Sequence, residues 1–242
     1  ESREWKMQQY DHKAFVITMK GRSFSEELAE DCVQSGKKFN LNIKKFDAVQ
    51  LDDVAPTYKK FGLRPFPKLK FTRDTKGVRG CFCSHYSLWL KCLELNEPIM
   101  ILEHDALVMR PIPKDILGKF AELCNLDAYS RTSTVYEEHL EKFENYDVIP
   151  HQPKKTSSSS KNAFQFYDKE CIKGLHAYII KPQGAKSLIE FTKNKGMLPA
   201  DVHVNAQSVA LTKTKYSLCR INPKYWLDKS KKSKNSYTRT DI

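Results

Sequence analysis

Short apolar runs separated by stretches of helical periodicity organise the first half of the chain. An apolar run over residues 13–19 predicts a strand, and the spacing over residues 24–35 predicts the helix that follows it. A second strand is predicted to end at residues 46–49, beside the first if the helix is a right-handed crossover. Residues 80–95 have helical spacing and lead directly into a predicted strand over residues 98–102.

The second half of the chain continues this alternation. Residues 111–126 predict a short helix and a connector, and a further strand is predicted to begin at residues 127–129. The apolar run 174–180 predicts another strand, and residues 183–192, which follow Pro182, have the spacing of an amphipathic helix. Strands that alternate with helices favour an α/β fold in which helices flank a mostly parallel central sheet.

Two stretches lack such periodicity. Residues 55–79 are basic and contain prolines, which predicts a long loop, and residues 132–170 are irregular. We therefore predict a single α/β domain over residues 1–212 that includes a basic loop, followed by a basic carboxyl-terminal arm over residues 213–242.

Positive charge is concentrated in two segments, although the formal net charge of the whole chain is only +12. Residues 59–79 hold eight Lys or Arg and one Asp, a balance of +7, and residues 213–239 hold nine Lys or Arg and one Asp, a balance of +8. The rest of the chain therefore sums to +12 minus +15, or −3. Basic segments attract polyanions, and the aromatic residues interleaved with them are suited to stack on bases or sugars.

Composition indicates neither a membrane-spanning nor a secreted protein. No segment approaches the roughly 18 uninterrupted apolar residues of a bilayer span, and the first residues are charged. The seven cysteines are an odd number and lie mostly in apolar surroundings, which favours reduced packing thiols, and Cys81 and Cys83 have no second pair at zinc-site spacing. We predict a cytoplasmic protein without a transmembrane segment, and peripheral membrane contact stays open.

The most informative chemical signal is an apolar run that ends in acidic residues. Residues 98–102 are followed by Glu103, His104 and Asp105. In an extended backbone residues i and i+2 point to the same side, so Glu103 and Asp105 are predicted to share one site while His104 points elsewhere. Oxygen ligands favour Mg²⁺ or Mn²⁺, which keep positions open for substrate phosphates. Two solvated acids at a strand end are the alternative interpretation.

Several segments, in order along the chain, are similar to those of glycosyltransferase family 25, the group that includes bacterial lipooligosaccharide galactosyltransferases and the collagen galactosyltransferase domain. They span roughly residues 13–205 and comprise the opening strand through Arg22, residues 46–49, Gly80 and Cys81 with Ser84, His85 and Trp89, residues 98–106, residues 174–185 and residues 199–201. The resemblance implies a GT-A type fold, a nucleotide-sugar donor and a divalent metal on an acidic motif that usually reads Glu-Asp-Asp. His104 departs from that motif at its middle position.

The resemblance also implies where the donor and the metal bind. Glu103 and Asp105 are the implied metal ligands, and His104 is an additional candidate. The residues expected at the nucleotide follow the first two strands or lie near the start of a helix, where phosphates bind. They are Thr18, Arg22, Asp47, Ala48 and Ser84.

Glycosyl transfer also needs a group that takes a proton from the attacking hydroxyl. Asp201, on a turn over residues 198–203, is the preferred base, and His203 and His85 are the alternatives. His85 and His176 lie within apolar patterns, which favours satisfied core histidines. The family resemblance, rather than any residue, implies inversion at the anomeric carbon.

We therefore predict a metal-dependent glycosyltransferase that uses Mn²⁺ or Mg²⁺ and a nucleotide sugar, with a UDP-sugar as the first choice. Family precedent favours an anionic, lipopolysaccharide-type glycan as the acceptor. The basic segments also suit a DNA glycosyltransferase that acts on hydroxylated bases, or a non-catalytic nucleic-acid-binding module on a degenerate scaffold. A metal-dependent nuclease built on Glu103 and Asp105 would require no nucleotide sugar.

Overall fold

A seven-stranded sheet covered by helices on both faces forms the centre of the protein. The computed structural model describes residues 7–65, 75–128, 141–151 and 175–227. The strands are β1 Ala14–Thr18, β2 Ile43–Asp47, β3 Ile99–Glu103, β4 Ala106–Val108, β5 Leu123–Asn125, β6 Val148–Pro150, β7 Ala177–Ile180, β8 Leu211–Thr214 and β9 Cys219–Ile221. The α-helices are α1 Ser23–Lys37, α2 Val54–Lys60, α3 Lys76–Leu95, α4 Pro182–Lys195, α5 Ala200–His203 and α6 Pro223–Leu227, and 3₁₀ turns cover Leu51–Asp53 and Lys114–Lys119.

Five of the seven strands of this sheet run in one direction. Its order is β2-β1-β3-β7-β5-β8-β6, in which β1 is parallel to β2 and β3, and β5 is parallel to β8. The two exceptions are β7, antiparallel to β3 and β5, and β6, antiparallel to β8. The prediction of an α/β fold with a mostly parallel, helix-flanked sheet is confirmed.

Alternate residues of the central strands face two separate helical layers. Phe15 and Ile101 belong to the core cluster that includes α3 and α4, whereas Val16 and Leu102 belong to the cluster that includes α1. Because side chains alternate along a strand, Glu103, which follows Leu102, falls on the α3 face of the sheet. The acidic residue at the end of β3 is thereby directed at the longest helix of the described chain.

The boundaries of α3 follow from its capping residues. The hydroxyl of Thr75 accepts a hydrogen bond from the Val78 N–H at 3.2 Å, which satisfies one of the unpaired donors at the start of a helix. The helix ends at Leu95, and the capping residue Asn96 that follows has a φ of +49°, in the left-handed region that asparagine tolerates. The helix therefore starts at Lys76, one turn before the predicted start at Gly80.

Two sequence predictions about elements were wrong. Residues 55–79 do not form one loop, because α2 ends at Lys60 and α3 begins at Lys76; residues 66–74 lie outside the described residues. The strand predicted from residue 127 is β5, which ends at Asn125. The predicted domain boundary at residue 212 falls inside β8, and the chain continues through β9, whose Cys219 and Ile221 are buried, to α6. Residues 228–242 of the predicted arm lie outside the described part.

Buried thiols account for most of the cysteines. Cys83, Cys92 and Cys124 are enclosed in the core, and burial raises the pKa of these thiols to about 11, 12 and 12, respectively. Such thiols stay protonated and unreactive at neutral pH. Among the described residues, no helix combines the length and apolar character that a bilayer span requires.

Candidate active site

The carboxyl ends of three adjacent parallel strands bring several predicted site residues to one edge of the sheet. β1 ends at Thr18, β2 at Asp47 and β3 at Glu103. Thr18 and Asp47 are direct partners in the sheet register, and the N–H of Ala48 donates to the Thr18 carbonyl at 2.8 Å. Ligands of open parallel sheets bind at this edge, so it is the candidate site.

The loop after β1 combines a buried hydroxyl with an exposed cation. Thr18 is 4% exposed, and its hydroxyl has no hydrogen-bond partner within the described part of the chain. Gly21 has a φ of +77°, which a residue without Cβ adopts readily, so the chain turns back and the Arg22 N–H reaches the Met19 carbonyl at 3.1 Å. The side chain of Arg22 is exposed at this turn. The two groups suit a phosphorylated, hydroxyl-bearing ligand.

An open concavity of about 360 Å³ lies directly after β2. Ala48 and Gln50 line it from the end of the strand, and Asp53 and Lys60 line it from the segment that contains α2. Only part of its wall, at Pro56, Thr57 and Lys60, comes from the segment 55–79 that the sequence suggested was a loop. Ala48, one of the predicted nucleotide contacts, borders this space, and the neighbouring Asp47 is exposed.

Ser84 lies within α3 and does not occupy the position expected of it. The helix begins at Lys76, so Ser84 lies two turns along it, and the premise that it is near the helix start was wrong. Its hydroxyl donates to the Gly80 carbonyl at 2.8 Å and accepts from the Val49 N–H at 2.9 Å. Ser84 therefore fixes the chain after β2 against α3, and a phosphate contact from its side chain remains a prediction.

Glu103 meets two side chains from α3. Its Oε1 lies 3.3 Å from Nε2 of His85 and 4.0 Å from Sγ of Cys81. These are the only three His, Cys, Asp or Glu side chains in the described ranges that gather closely enough to hold a metal ion as a group. The Glu103 side chain is 24% exposed, whereas His85 is fully buried, as predicted for a core histidine.

Two further buried side chains extend this cluster into the core. Nδ1 of His85 lies 2.8 Å from the hydroxyl of Tyr178, which also accepts a hydrogen bond from the indole N–H of Trp89 at 3.0 Å. Burial raises the pKa of the Tyr178 hydroxyl well above its ordinary value, so the hydroxyl keeps its proton. The candidate site is thus connected to the interior through a chain of hydrogen bonds.

His104 and Asp105 do not join Glu103 in a shared three-residue metal group. β3 ends at Glu103 and residues 104–105 form a turn, so the extended backbone on which the prediction depended is absent. Ser25 Oγ accepts from the Met19 N–H at 2.9 Å and lies within hydrogen-bond distance, 2.7 Å, of Nδ1 of His104. Nδ1 of His104 is thus engaged by Ser25.

Asp105 occupies a more enclosed position than Glu103. It is 3% exposed, and its carbonyl accepts from the Asn222 N–H at 2.7 Å. Asp105 lies close enough to Cys32 of α1 for its negative charge to raise the pKa of that thiol. Burial of Cys32 is the larger cause of the same shift. The two acids of the predicted pair therefore have unlike surroundings.

A divalent cation, which the resemblance implies, fits this edge through Glu103. Mg²⁺ and similar ions are held by one or two carboxylates together with substrate phosphates, so one partly exposed carboxylate at the rim is an adequate protein ligand. The adjacent thiol and imidazole would suit a softer ion such as Zn²⁺. The donor set therefore accepts a cation at Glu103 without selecting manganese by itself.

Two of the three candidate bases, Asp201 and His203, have opposite surroundings in the structure. Asp201 is exposed on α5, whereas His203 of the same helix is completely buried among Phe82, Trp89 and Phe191. The Thr192 hydroxyl donates to Leu188, so it accepts from Nε2 of His203 at 2.9 Å, while Nδ1 of His203 accepts from the Leu198 N–H.

Burial lowers the pKa of His203 to about 3. With both ring nitrogens engaged, His203 cannot serve as the base, and that alternative is rejected. Asp201 remains a prediction.

Sequence reasoning missed a buried acid that supports the same edge. Asp127, 2% exposed, accepts from Nε2 of His176 at 2.9 Å and from the Ser217 hydroxyl at 2.6 Å. The carbonyl of His176 in turn accepts from the Glu103 N–H at 2.8 Å. An acid directly after an apolar run was the available signal, the same signal that identified Glu103.

A family model described as glycosyltransferase family 25 (LPS biosynthesis protein) matches residues 11–204. Two curated proteins of Haemophilus influenzae are similar to this chain. One, whose name assigns it to the glycosyltransferases, is 32% identical over 173 residues, 70% of this chain and 54% of its own length. The other, lipooligosaccharide biosynthesis protein lex-1, is 29% identical over 163 residues, 62% of this chain and 48% of its own length. The chain spans about half the length of these relatives.

Two solved structures align weakly with the chain. A glycosyltransferase involved in the glycosylation of the major capsid of PBCV-1 has 9% identity and a TM-score of 0.29, over 75% of this chain and 66% of its own. Mouse xyloside xylosyltransferase 1 has 9% identity and a TM-score of 0.34, over 80% of each chain. Scores this low carry no argument about the site.

Proposed function

Because the chain belongs to glycosyltransferase family 25, we propose that it transfers a sugar from a nucleotide-sugar donor to a hydroxyl group of a larger anionic glycan. The observation that carries this proposal is the arrangement at the carboxyl edge of the sheet. A buried hydroxyl at Thr18, an exposed cation at Arg22 and a partly exposed carboxylate at Glu103 follow two adjacent strands there. A nucleoside diphosphate sugar requires groups of these three kinds.

The donor is proposed to lie along this edge, with its nucleoside toward the concavity beside Ala48 and its diphosphate toward Arg22 and Glu103. Thr18 and Asp47 are partners in the sheet register at the ends of β1 and β2, directly before the concavity, and would lie beside this donor. Arg22 would hold phosphate oxygens. A bound Mn²⁺ or Mg²⁺ would neutralise the charge that develops on the leaving diphosphate.

Asp201 is proposed as the residue that accepts the proton of the attacking hydroxyl. Its side chain is exposed on α5, and that helix is fixed to α3 by the contact between His203 and Phe82, whose ring centroids are 4.8 Å apart. A solvent-accessible carboxylate on a well-packed helix is available to an acceptor that approaches from outside.

An anionic glycan of the lipopolysaccharide type is the proposed acceptor. The support is the description of the family and the name of one relative, both of which refer to the biosynthesis of such glycans. The surplus of basic residues in the chain is consistent with an acceptor that carries phosphates or carboxylates.

The proposal is tested first by ligand binding. We expect a UDP-sugar from a panel of UDP-galactose, UDP-glucose and UDP-N-acetylglucosamine to raise the melting temperature when Mn²⁺ is present. A ligand at about 100 times its Kd stabilises by about 2.7 kcal/mol, which corresponds to roughly 5–10 °C for a chain of this size. Absence of a shift with every member of the panel would refute donor binding.

The second test identifies the acceptor. Release of UDP should depend on Mn²⁺ or Mg²⁺ and should increase with a lipooligosaccharide core, while duplex DNA that contains hydroxymethylated bases serves as the competing acceptor. Transfer to the DNA and not to the glycan would overturn the proposed acceptor class while leaving the donor assignment intact.

A further inference from the structure

We propose that His85 is a positioning residue, which holds one carboxylate oxygen of Glu103 through a directed chain of hydrogen bonds that begins at Trp89. This inference rests on the proposed function, because that function assigns Glu103 to the cation of the donor complex. It concerns a side chain that the glycosyl-transfer proposal otherwise leaves without a role.

The donor-to-acceptor direction of this chain of hydrogen bonds follows from its first member, Trp89. The indole N–H of Trp89 can only donate, so the Tyr178 oxygen accepts at 3.0 Å. Tyr178 keeps its single hydrogen, because burial raises the pKa of its hydroxyl. The other polar partner of that hydroxyl is Nδ1 of His85 at 2.8 Å, and it receives the hydrogen.

The tautomer of His85 is thereby determined. A neutral imidazole whose Nδ1 accepts a hydrogen bond carries its proton on Nε2. Nε2 lies 3.3 Å from Oε1 of Glu103, so His85 donates to this carboxylate oxygen. Oε1 of this partly exposed carboxylate is therefore oriented by the protein.

The supporting residues are held by the fold. Trp89, His85 and Tyr178 are completely buried, and the rings of His85 and Tyr178 are stacked at an interplanar angle of 19°. His85 and Trp89 are one turn apart on α3, while Tyr178 is paired with Ile101 across β7 and β3. Glu103 is two residues beyond Ile101 and therefore projects from the same face.

The same atoms suggest a competing role, in which Cys81, His85 and Glu103 together bind a soft divalent ion. That role needs a lone pair on Nε2, which moves the proton of His85 to Nδ1. The Tyr178 oxygen would then face two donors, Trp89 and His85, and its own hydrogen would lose His85 as its acceptor. Because an unsatisfied buried donor costs about 1–3 kcal/mol, the hydrogen-bond pattern favours the positioning role.

The decisive experiment measures the tautomer in the unaltered protein. We expect the ¹⁵N chemical shifts of His85, assigned with a His85→Gln variant, to show a protonated Nε2 and an unprotonated Nδ1 near neutral pH. A protonated Nδ1 with a free Nε2 would overturn the proposal. This readout needs neither donor nor metal, so it is independent of whether the proposed glycosyltransferase function holds.

Variants then test what the chain of hydrogen bonds does. His85→Phe keeps an aromatic ring but removes the donor, and it should weaken Mn²⁺ binding, measured by electron paramagnetic resonance, by about 10-fold, the lower range for an outer-shell partner. His85→Gln retains an N–H donor and should restore part of that loss. Tyr86→Phe, which removes a hydroxyl from the neighbouring buried tyrosine, is the matched control and should bind Mn²⁺ as the parent protein does.

Two results would overturn the positioning role at this stage. One is Mn²⁺ affinity in His85→Phe equal to that of Tyr86→Phe, with both variants folded by near-UV circular dichroism. The other is a thiolate-to-cobalt absorption band on addition of Co²⁺ that disappears in Cys81→Ser, which would identify Cys81 and His85 as ligands of a soft metal.

Discussion

Two acids that are two residues apart illustrate how far the surroundings of single residues decide chemistry. Glu103 ends a strand on the α3 face and is 24% exposed, whereas Asp105 lies in the following turn and is 3% exposed. His104 between them is engaged by Ser25 of α1. A carboxylate that is partly exposed can take an ion with little change of structure, because a hydrated ion reaches it without displacing packed side chains.

The difference in exposure between Glu103 and Asp105 predicts which substitution weakens metal binding more. Glu103→Gln should weaken Mn²⁺ binding by more than the roughly 10–100-fold loss typical of removing an outer-shell partner, since it removes the ligand itself. Asp105→Asn should weaken binding less. Isothermal titration with Mn²⁺ in the presence of UDP measures both, and a larger loss in Asp105→Asn would reverse the assignment.

The proposed base makes a separate prediction about rate. Asp201→Asn should lower kcat by about 10²–10⁴-fold and leave the stabilisation by donor and Mn²⁺ unchanged, because Asp201 acts on the acceptor hydroxyl. Asp53→Asn, which changes an acid at the concavity rather than the acid on α5, is the comparison in steady-state assays of UDP release. A kcat of Asp201→Asn within threefold of the parent value would contradict the assignment.

At the scale of elements, the loop between β1 and α1 is held in place by one serine. Ser25 is completely buried and connects the Met19 N–H to His104, while Glu26 accepts from the Gly21 N–H at 2.9 Å. These bonds join the loop that carries Arg22 to the turn after β3. The candidate site is thus formed by elements that are hydrogen-bonded to one another.

Removing this connection should lower the stability of the protein. Ser25→Ala removes the acceptor of the Met19 N–H and the hydroxyl beside Nδ1 of His104, and the loss of these part-buried hydrogen bonds predicts a decrease of about 1–3 kcal/mol in the free energy of unfolding. Ser23→Ala, at an exposed position of the same helix, should change it by no more than about 0.5 kcal/mol. Urea denaturation compares the two, and equal values would contradict the role of Ser25.

The packing of α5 against α3 and α4 predicts a pH dependence. His203 has its pKa lowered by burial to about 3, whereas in the unfolded chain its pKa is about 6.5. Between these values the unfolded state binds a proton that the folded state does not, so stability falls as the pH decreases below about 6.5 and levels off near pH 3.

The measurable consequence is a difference in the pH dependence of stability between the parent protein and the His203→Gln variant. From pH 7 to pH 5 the parent protein should lose about 2 kcal/mol more stability than His203→Gln, which cannot take up this proton. The other histidines contribute equally to both proteins and cancel in the comparison. Parallel stability curves over this range would show that folding does not lower the pKa of His203.

At the scale of the whole molecule, the charge is unevenly distributed along the chain. The basic segments 59–79 and 213–239 together exceed the net charge of +12, so the remainder is slightly acidic. Part of each segment belongs to the fold, since α2 includes Lys59 and Lys60 and β9 includes Arg220. The chain therefore combines an acidic strand end that suits a cation with basic segments that suit an anionic acceptor.

This distribution predicts how acceptor binding responds to salt. Replacing Lys229, Lys231, Lys232 and Lys234 by Gln should weaken binding to a lipooligosaccharide core and reduce its dependence on ionic strength, because fewer charges are screened. The same four positions changed to Arg should bind as the parent does. Fluorescence anisotropy at about 50 and 200 mM salt tests this, and identical salt slopes for the Gln and parent proteins would contradict it.

Local patterns predicted the elements better than their boundaries or partners. The strand over residues 13–19 and the helix after Pro182 were confirmed because apolar periodicity is a property of neighbouring residues. The predicted boundary at residue 212 falls inside β8, a strand that pairs with β5, which is distant in sequence. The extended backbone assumed through Asp105 ends at Glu103, because a turn covers residues 104 and 105.

The sequence by itself determined the α/β class, the strand that delivers Glu103, and the resemblance to glycosyltransferase family 25, since each depends on residue types and their spacing. Only the tertiary structure decided that Glu103 meets His85 and Cys81, that His104 is bound to Ser25, and that His203 is enclosed. These contacts depend on strand register and on how helices pack on the sheet, and both result from interactions between residues far apart along the chain.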